Sequence, residues 1–215
     1  MLKIWGRGTS INVQKVLWLA GELELEFEHI QAGGRFGRLG EPEFAAINPH
    51  RRVPVLEDSD LAVWESNSIL RYLAARYGAP AFWDDDPAAR SQADRWMDWE
   101  LATLQNAFIG GVFWAFYRTP EPQRNWAAIR RSVANSGRLF GIVDAALADR
   151  RFLAGESLSL ADICVGTMLY RYYELDIERP SLPNVERWYR SLQERQAYRD
   201  HIMTDFEELR GRSTF

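Results

Sequence analysis

Two-residue alternation of apolar and polar side chains is confined to the first third of this chain, and that confinement is what most restricts its fold. The runs "LKIWG", "LEFEHIQ", "VPVLED" and "LAVWE" carry the strand signal, the last two flanking a hairpin turn at Asp58 to Asp60. Between the strands, "NVQKVLWLAGEL" sets Val13, Val16, Leu17 and Ala20 at helical spacing, and a shorter helical piece surrounds Phe44 to Ile47. "SNSILRYLAARYG" reads as a helix closed by Gly78. The order is β-α-β, then β-β-α. "GAPAFWDDDPAARS" interrupts it with two prolines and three consecutive aspartates, and Asp86 before Pro87 suits a helix N-cap followed by an N1 proline. Beyond that point "ARSQADRWMDWELATLQNAF", "WAAIRRSVANSGRLFGIVDAALADR", "LADICVGTMLYRYY" and "VERWYRSLQER" all fit helices. The expected organisation is an α/β domain over residues 1–78, a linker at 79–87 and an all-α domain over 88–215.

At 215 residues the chain can bury a substantial core, and 47% hydrophobic with 26% charged residues is ordinary for a globular protein. The 26 basic residues are almost all arginines scattered in ones and twos among 30 acidic ones, which argues against a nucleic-acid partner. No run of eighteen apolar residues calls for a membrane, and "MLKIWGRGTS" is too short and mixed for a signal segment, so the expected location is the cytoplasm. Cys164 is the single cysteine and lies in an apolar stretch, which excludes CxxC chemistry and reads as a buried core thiol.

Several motifs fail on inspection. "AGGRFGRLG" lacks the Gly-Lys-Ser/Thr ending of a phosphate loop. His29, His50 and His201 show no metal-ligand spacing, so no metal is expected. No GxSxG elbow is present. In "SLSLADI", Ser159 and Asp162 resemble a capping box and Leu158 and Ile163 a hydrophobic staple, a structural device without chemistry. "FWAFYR" reads first as core or partner surface; Phe113, Trp114 and Tyr117 are its candidate substrate-pocket residues, and Gly110-Gly111 before them is a candidate bend.

The remaining candidates sit at helix starts and strand ends of the first domain. "GRGTSIN" places Thr9, Ser10 and Asn12 where free N–H groups and the helix dipole favour an anion. Ser10 is either the cap of that helix or a hydroxyl donor to a bound anion such as a thiolate. In "NPHRRVPVLEDSDLAVWESNSIL", Pro54 enters a strand although it has no N–H for the ladder, and Ser66 stands where an N-cap belongs.

Taken jointly, "VPVLED…WESNSILRYLAARYG" and "FLAGESLSLADI" at their separation resemble the cytosolic glutathione transferase family, and the resemblance covers essentially the whole chain. It implies a thioredoxin-like first domain with a mixed four-stranded sheet and a cis bond before Pro54, an all-α second domain, and a homodimer. It further implies that the Val53 backbone pairs with the cysteinyl part of glutathione. Ser66 and the helix start behind it would take the γ-glutamyl carboxylate, with Glu65 facing the ammonium group. Arg52 would meet the glycyl end, with Arg51 a weaker candidate. Ser10 matches the serine-type classes, whereas the Ser-x-Asn spacing resembles nu-like disulfide reductases, which leaves Ser10 and Asn12 both open as the group beside the sulfur. The implied function is conjugation of glutathione, as co-substrate, to a small apolar electrophile lying between the domains; glutathione-dependent disulfide or peroxide reduction and a non-catalytic binding role are the alternatives.

Overall fold

In the computed structural model, which describes residues 1–213, the chain divides into two compact units. The first comprises Met1–Asp84 together with Gln196–Thr204; the second comprises Asp85–Arg195 and residues 205–213. Residues 196–204 thus leave the helical half, where chain order alone would put them.

The first unit is built on the expected mixed sheet of β1 (Leu2–Trp5), β2 (Phe27–Ile30), β3 (Val55–Asp58) and β4 (Leu61–Trp64), in the order β2-β1-β3-β4. β1 and β2 run parallel because α1 (Ile11–Glu22) carries the chain back between them. The β1–β3 and β3–β4 pairs are antiparallel, the latter a hairpin whose Ser59 adopts a φ of 54°. Trp5, Ala32, Phe44 and Val55 form a buried cluster, with α2 (Pro42–Ile47) contributing Phe44 edge-on to Trp5 at 5.8 Å. α3 (Ser66–Tyr77) is tied to the hairpin by the Tyr72 and Tyr77 hydroxyls, both of which donate to Asp58 Oδ2. Those two bonds hold the Asp58 carboxyl below its usual range, and its carboxylate in turn pushes the Tyr72 hydroxyl up to about 12. Gly78 does end α3, but at a φ of −107° rather than in a left-handed turn. A Cβ there would lie 3.0 Å from the Ala74 carbonyl oxygen and 3.1 Å from Phe82 Cβ, a tight fit that glycine avoids.

In the second unit α4 (Pro87–Trp99) starts as read: the Asp86 carboxylate accepts the Ala88 N–H at 3.0 Å ahead of Pro87. The helix then continues in the wide π form through Glu100–Leu104 and Asn106–Arg118, ending with Thr119 N–H on the Trp114 carbonyl. The expected bend at Gly110-Gly111 is therefore a change of winding that begins earlier, at Glu100. Gly111 has a packing reason: its Cβ would lie 2.6 Å from Ser132 Oγ on α5 (Trp126–Ala146). "LADICVGTMLYRYY" is two helices rather than one, α6 (Leu160–Gly166) and α7 (Leu169–Glu174). The capping box at α6 is present. Asp162 accepts from the Ser159 N–H and hydroxyl and from the Leu153 N–H, and its burial pushes the carboxyl up to about 6. Leu158, Ile163 and the Cys164 thiol are buried around it. α8 (Pro183–Gln193) completes the unit.

The last helix, α9 (Gln196–His201), belongs to the first unit and packs on α1. Trp18 meets Tyr198 edge-on at 4.7 Å, Gln14 Nε2 donates to Thr204 Oγ1, and the Gly21 position admits no Cβ because Ala197 would be 2.9 Å away.

Candidate active site

Sheet register brings the candidate residues of the first unit to one edge. Trp5 pairs with Val55, and Val55 with Trp64, so the end of β1, the start of β3 and the end of β4 lie side by side. The residues just beyond them are the Gly6-to-Ser10 loop, Val53–Pro54 and Glu65–Ser66. Two glycines let these segments close up. A Cβ on Gly6, at a φ of 149°, would meet Val13 Cγ2 at 2.3 Å and Val53 Cβ at 3.2 Å. One on Gly33, at 79°, would meet Arg7 Nη1 and Leu39 Cδ1 at 3.4 Å and Val53 Cγ2 at 3.7 Å.

Ser10 is the N-cap of α1 by backbone, with extended dihedrals and its carbonyl accepting the Gln14 N–H at 2.9 Å, but its hydroxyl makes no capping bond. Of the two roles open to it, capping is absent and donation to a ligand is available. Thr9 precedes it in the loop, half-buried. Asn12 follows in the first turn, and its side-chain Oδ1 is buried without a hydrogen-bond partner, an arrangement that costs free energy unless something donates to it.

The Val53–Pro54 bond is cis. Among the described residues nothing pairs with the Val53 N–H or C=O, because the β1–β3 ladder begins only at Val55. Arg51 and Arg52 are exposed, and Arg51 adopts a φ of 52°. Their loop is held from below by Asn48, a residue the sequence reading did not single out. Asn48 is 2% exposed, accepts the His50 N–H at 2.9 Å and donates from Nδ2 to the Arg52 carbonyl at 2.8 Å. An asparagine ahead of a proline is a turn signal and the only one that marked it.

At the start of α3 the structure corrects the expected cap. Glu65, not Ser66, is the N-cap: its carbonyl accepts the Ile69 N–H at 2.9 Å, and it does so with a φ of 71°. Ser66 is thus the first helical residue, with its N–H free of the helix ladder and only 4% of its surface exposed. The Glu65 side chain is exposed and makes no cap. A glutamate at such a φ is held there at a cost of about 1–3 kcal/mol, and such residues cluster where ligands bind.

The three candidates of the helical unit separate. Phe113 and Tyr117 are buried, stacked on each other at 5.3 Å and against Phe206, with Tyr117 donating to Glu207 and the Arg171 guanidinium over Phe113. Trp114 is 40% exposed under the Arg118 guanidinium. Packing therefore accounts for the first two rings and leaves Trp114 as the one with open surface. Among the described residues no three His, Cys, Asp or Glu side chains stand together as a metal site, and no helix is long and apolar enough to cross a membrane.

Comparison with known proteins finds the glutathione S-transferase N-terminal domain over residues 1–75 and the glutathione S-transferase C-terminal domain over residues 106–196. Glutathione S-transferase GstB of Escherichia coli K12 is 42% identical over 205 residues, 94% of this chain and 98% of the relative. The disulfide-bond oxidoreductase YghU of the same organism is 31% identical over 215 residues, 91% of this chain and 72% of its own length. Among solved structures, a theta-class glutathione S-transferase from Xanthomonas axonopodis pv. citri with glutathione bound superposes with a TM-score of 0.90 at 44% identity, covering 95% of this chain and 98% of that one.

Proposed function

Since the chain belongs to the glutathione S-transferase family, we propose that it conjugates glutathione to small apolar electrophiles, with Ser10 as the principal donor to the thiolate. The observation that carries the reading is the convergence of the Ser10 start of α1, Val53–Pro54 and Glu65–Ser66 at one edge of the sheet. Glutathione bears two carboxylates, one ammonium and a thiol, and this edge offers matching groups. The Val53 N–H and C=O pair with the cysteinyl backbone as a short strand addition. The Ser66 N–H and hydroxyl, at the positive end of α3, take the γ-glutamyl carboxylate, and Glu65 meets the ammonium. Arg52, with Arg51 beside it, faces the glycyl carboxylate, and Thr9 lines the approach to the sulfur. Residues 1–78 are the glutathione-binding half in this reading, and Trp114 is the open aromatic surface of the helical half.

Chemically, Ser10 is a donor and not a base. Its hydroxyl and the α1 N-terminus stabilise sulfur as an anion, lowering a thiol pKa that is ordinarily about 8.5 toward neutrality. The thiolate pair then attacks the electrophilic atom, the carbon–sulfur bond forms, and the leaving group departs with its electrons. Asn12 Oδ1 lies in the same first turn and accepts a hydrogen bond from the peptide or from a water at the sulfur.

Identity is higher to GstB and to the theta-class enzyme than to the disulfide-bond oxidoreductase, which favours conjugation over reduction. Assays of the purified protein with a chlorodinitrobenzene-type electrophile, a hydroperoxide and a mixed disulfide test that order; faster turnover of the disulfide would reverse it. Millimolar glutathione should raise the unfolding temperature by mass action, and no shift at saturation would remove the glutathione site. The homodimer is tested by sedimentation at micromolar concentration, where a monomer alone would refute it.

A further inference from the structure

β1 leaves the sheet at Gly6, and both backbone polar groups of that glycine are answered from β2. The Gly6 N–H donates to the Ile30 carbonyl at 2.9 Å, continuing the parallel ladder by one bond. The Gly6 carbonyl is met by a side chain instead: His29 Nε2 stands 2.7 Å from it. His29 pairs with Ile4 across the sheet, so its ring reaches forward to a residue two places beyond its own partner. A carbonyl oxygen has no proton to give, so Nε2 carries the hydrogen and Nδ1 is the ring nitrogen that titrates. The donor therefore stays in place whether the ring is neutral or charged.

Gly6 needs such a tie. Glycine restricts its own dihedrals least of all residues, and this one holds a φ of 149° where Val13 and Val53 leave no room for a Cβ. It is also buried, so its carbonyl would be costly to leave without a donor. From Gly6 the chain runs into Arg7, whose carbonyl accepts the Ser10 N–H at 3.0 Å. The Ser10 hydroxyl makes no capping bond, so this backbone, and not a cap, sets where it stands.

On the reading of Ser10 given above, we propose that His29 is a positioning residue for the transferase reaction: through the Gly6 carbonyl it fixes the Gly6-to-Ser10 loop, and so the place of the Ser10 hydroxyl beside the sulfur. It acts through the backbone and touches no substrate. A displacement of about 1 Å made away from the reacting atoms can cost roughly 100-fold in rate, so one hydrogen bond at the root of the loop is enough to matter. Val53 and Ser66 lie on other segments and hold glutathione without it, so the loss should fall on kcat.

The test uses the whole protein in three variants. His29→Leu removes the donor, His29→Asn keeps a polar side chain too short to reach the carbonyl, and His29→Gln returns an amide N–H near the Nε2 position. Thiolate absorbance against pH, with glutathione at saturation, should show the bound thiol pKa raised by about 0.5 unit or more in the leucine and asparagine variants. In both, kcat should fall at least about fivefold while the glutathione KM changes less than about twofold. His29→Gln should restore pKa and kcat to within about twofold of the parent equilibrium and rate. The asparagine variant carries the result if the leucine variant does not fold. Ser10→Ala, measured alongside, separates the two readings. If it raises the thiol pKa and the His29 variants do not, the proposal falls and Ser10 keeps its role; if neither does, both fall. A lowered melting temperature with unmoved pKa and kcat, a loss confined to KM, or equal losses in the glutamine and leucine variants would also overturn the proposal.

Discussion

Asn48 holds Arg52 by its main chain: the buried amide donates to the Arg52 carbonyl at 2.8 Å while its oxygen accepts the His50 N–H at 2.9 Å. The arginine proposed for the glycyl end of glutathione is thus held at its main chain by a residue that has almost no surface of its own. Asn48→Ala strands both backbone partners and should cost about 1–3 kcal/mol of stability. Steady-state kinetics should show the glutathione KM rising several-fold with kcat nearly unchanged, because the loss falls on ground-state binding. A lowered melting temperature with an unaltered KM would make Asn48 structural only.

Ser10 caps α1 with its backbone and not with its side chain. Ser10→Ala should therefore leave the melting temperature almost unmoved. It should raise the pKa of bound glutathione by about 1 unit or more and lower kcat/KM at least tenfold, since a hydrogen bond to a charged group contributes roughly 1.5–3 kcal/mol. Thiolate absorbance against pH reads the shift directly. Asn12→Ala should do less; the reverse order would move the principal role to Asn12.

The start of α3 opposes stability to binding. Glycine adopts the Glu65 φ of 71° freely, so Glu65→Gly should raise the unfolding free energy by up to about 1 kcal/mol while weakening glutathione. Ser66→Ala should raise the glutathione KM much more than it lowers kcat. Calorimetry and kinetics on both variants check the pair, and an unchanged KM in both would leave the α3 start without a binding role.

Burial sets a pH dependence at Asp162. Its carboxyl titrates at about 6 in the folded chain against an ordinary value of 3.8. The folded state therefore holds the extra proton between those values, and the contribution of this group falls as pH rises from about 4 to about 6. Asp162→Asn should destabilise the protein by about 1–3 kcal/mol through its lost acceptors and should remove that part of the slope. Denaturant unfolding of both proteins across pH 4–7 tests it; parallel curves would show that Asp162 does not titrate there.

Much of this was legible in sequence because it is local. The strand and helix order of the first unit, the Asp86–Pro87 helix start and the Ser159–Asp162 capping box all follow from residues within one turn of each other. Gly78 was recognised as a stop, but residue type alone does not announce that its φ would be −107° rather than left-handed. Glu65 and Ser66 were recognised as a pair, yet their helix positions differ from the expected ones by one residue, because a left-handed φ on a glutamate has no local sequence signature.

What the sequence by itself determined is the division into an α/β half and a helical half, through the period of its apolar residues, and the residue types present at each candidate position. Tertiary structure alone decided which of them meet. The β1–β3–β4 register, set by side chains far apart in the chain, brings Gly6, Val53 and Glu65 to one edge. The return of α9 to α1 rests on Gly21 and Ala197, whose fit no periodicity announces. Phe113 and Trp114 are chemically similar neighbours in sequence, but the pitch of their helix sends one ring into the core and the other to the surface. Periodicity is a property of neighbours along the chain, whereas a site is made by neighbours in space.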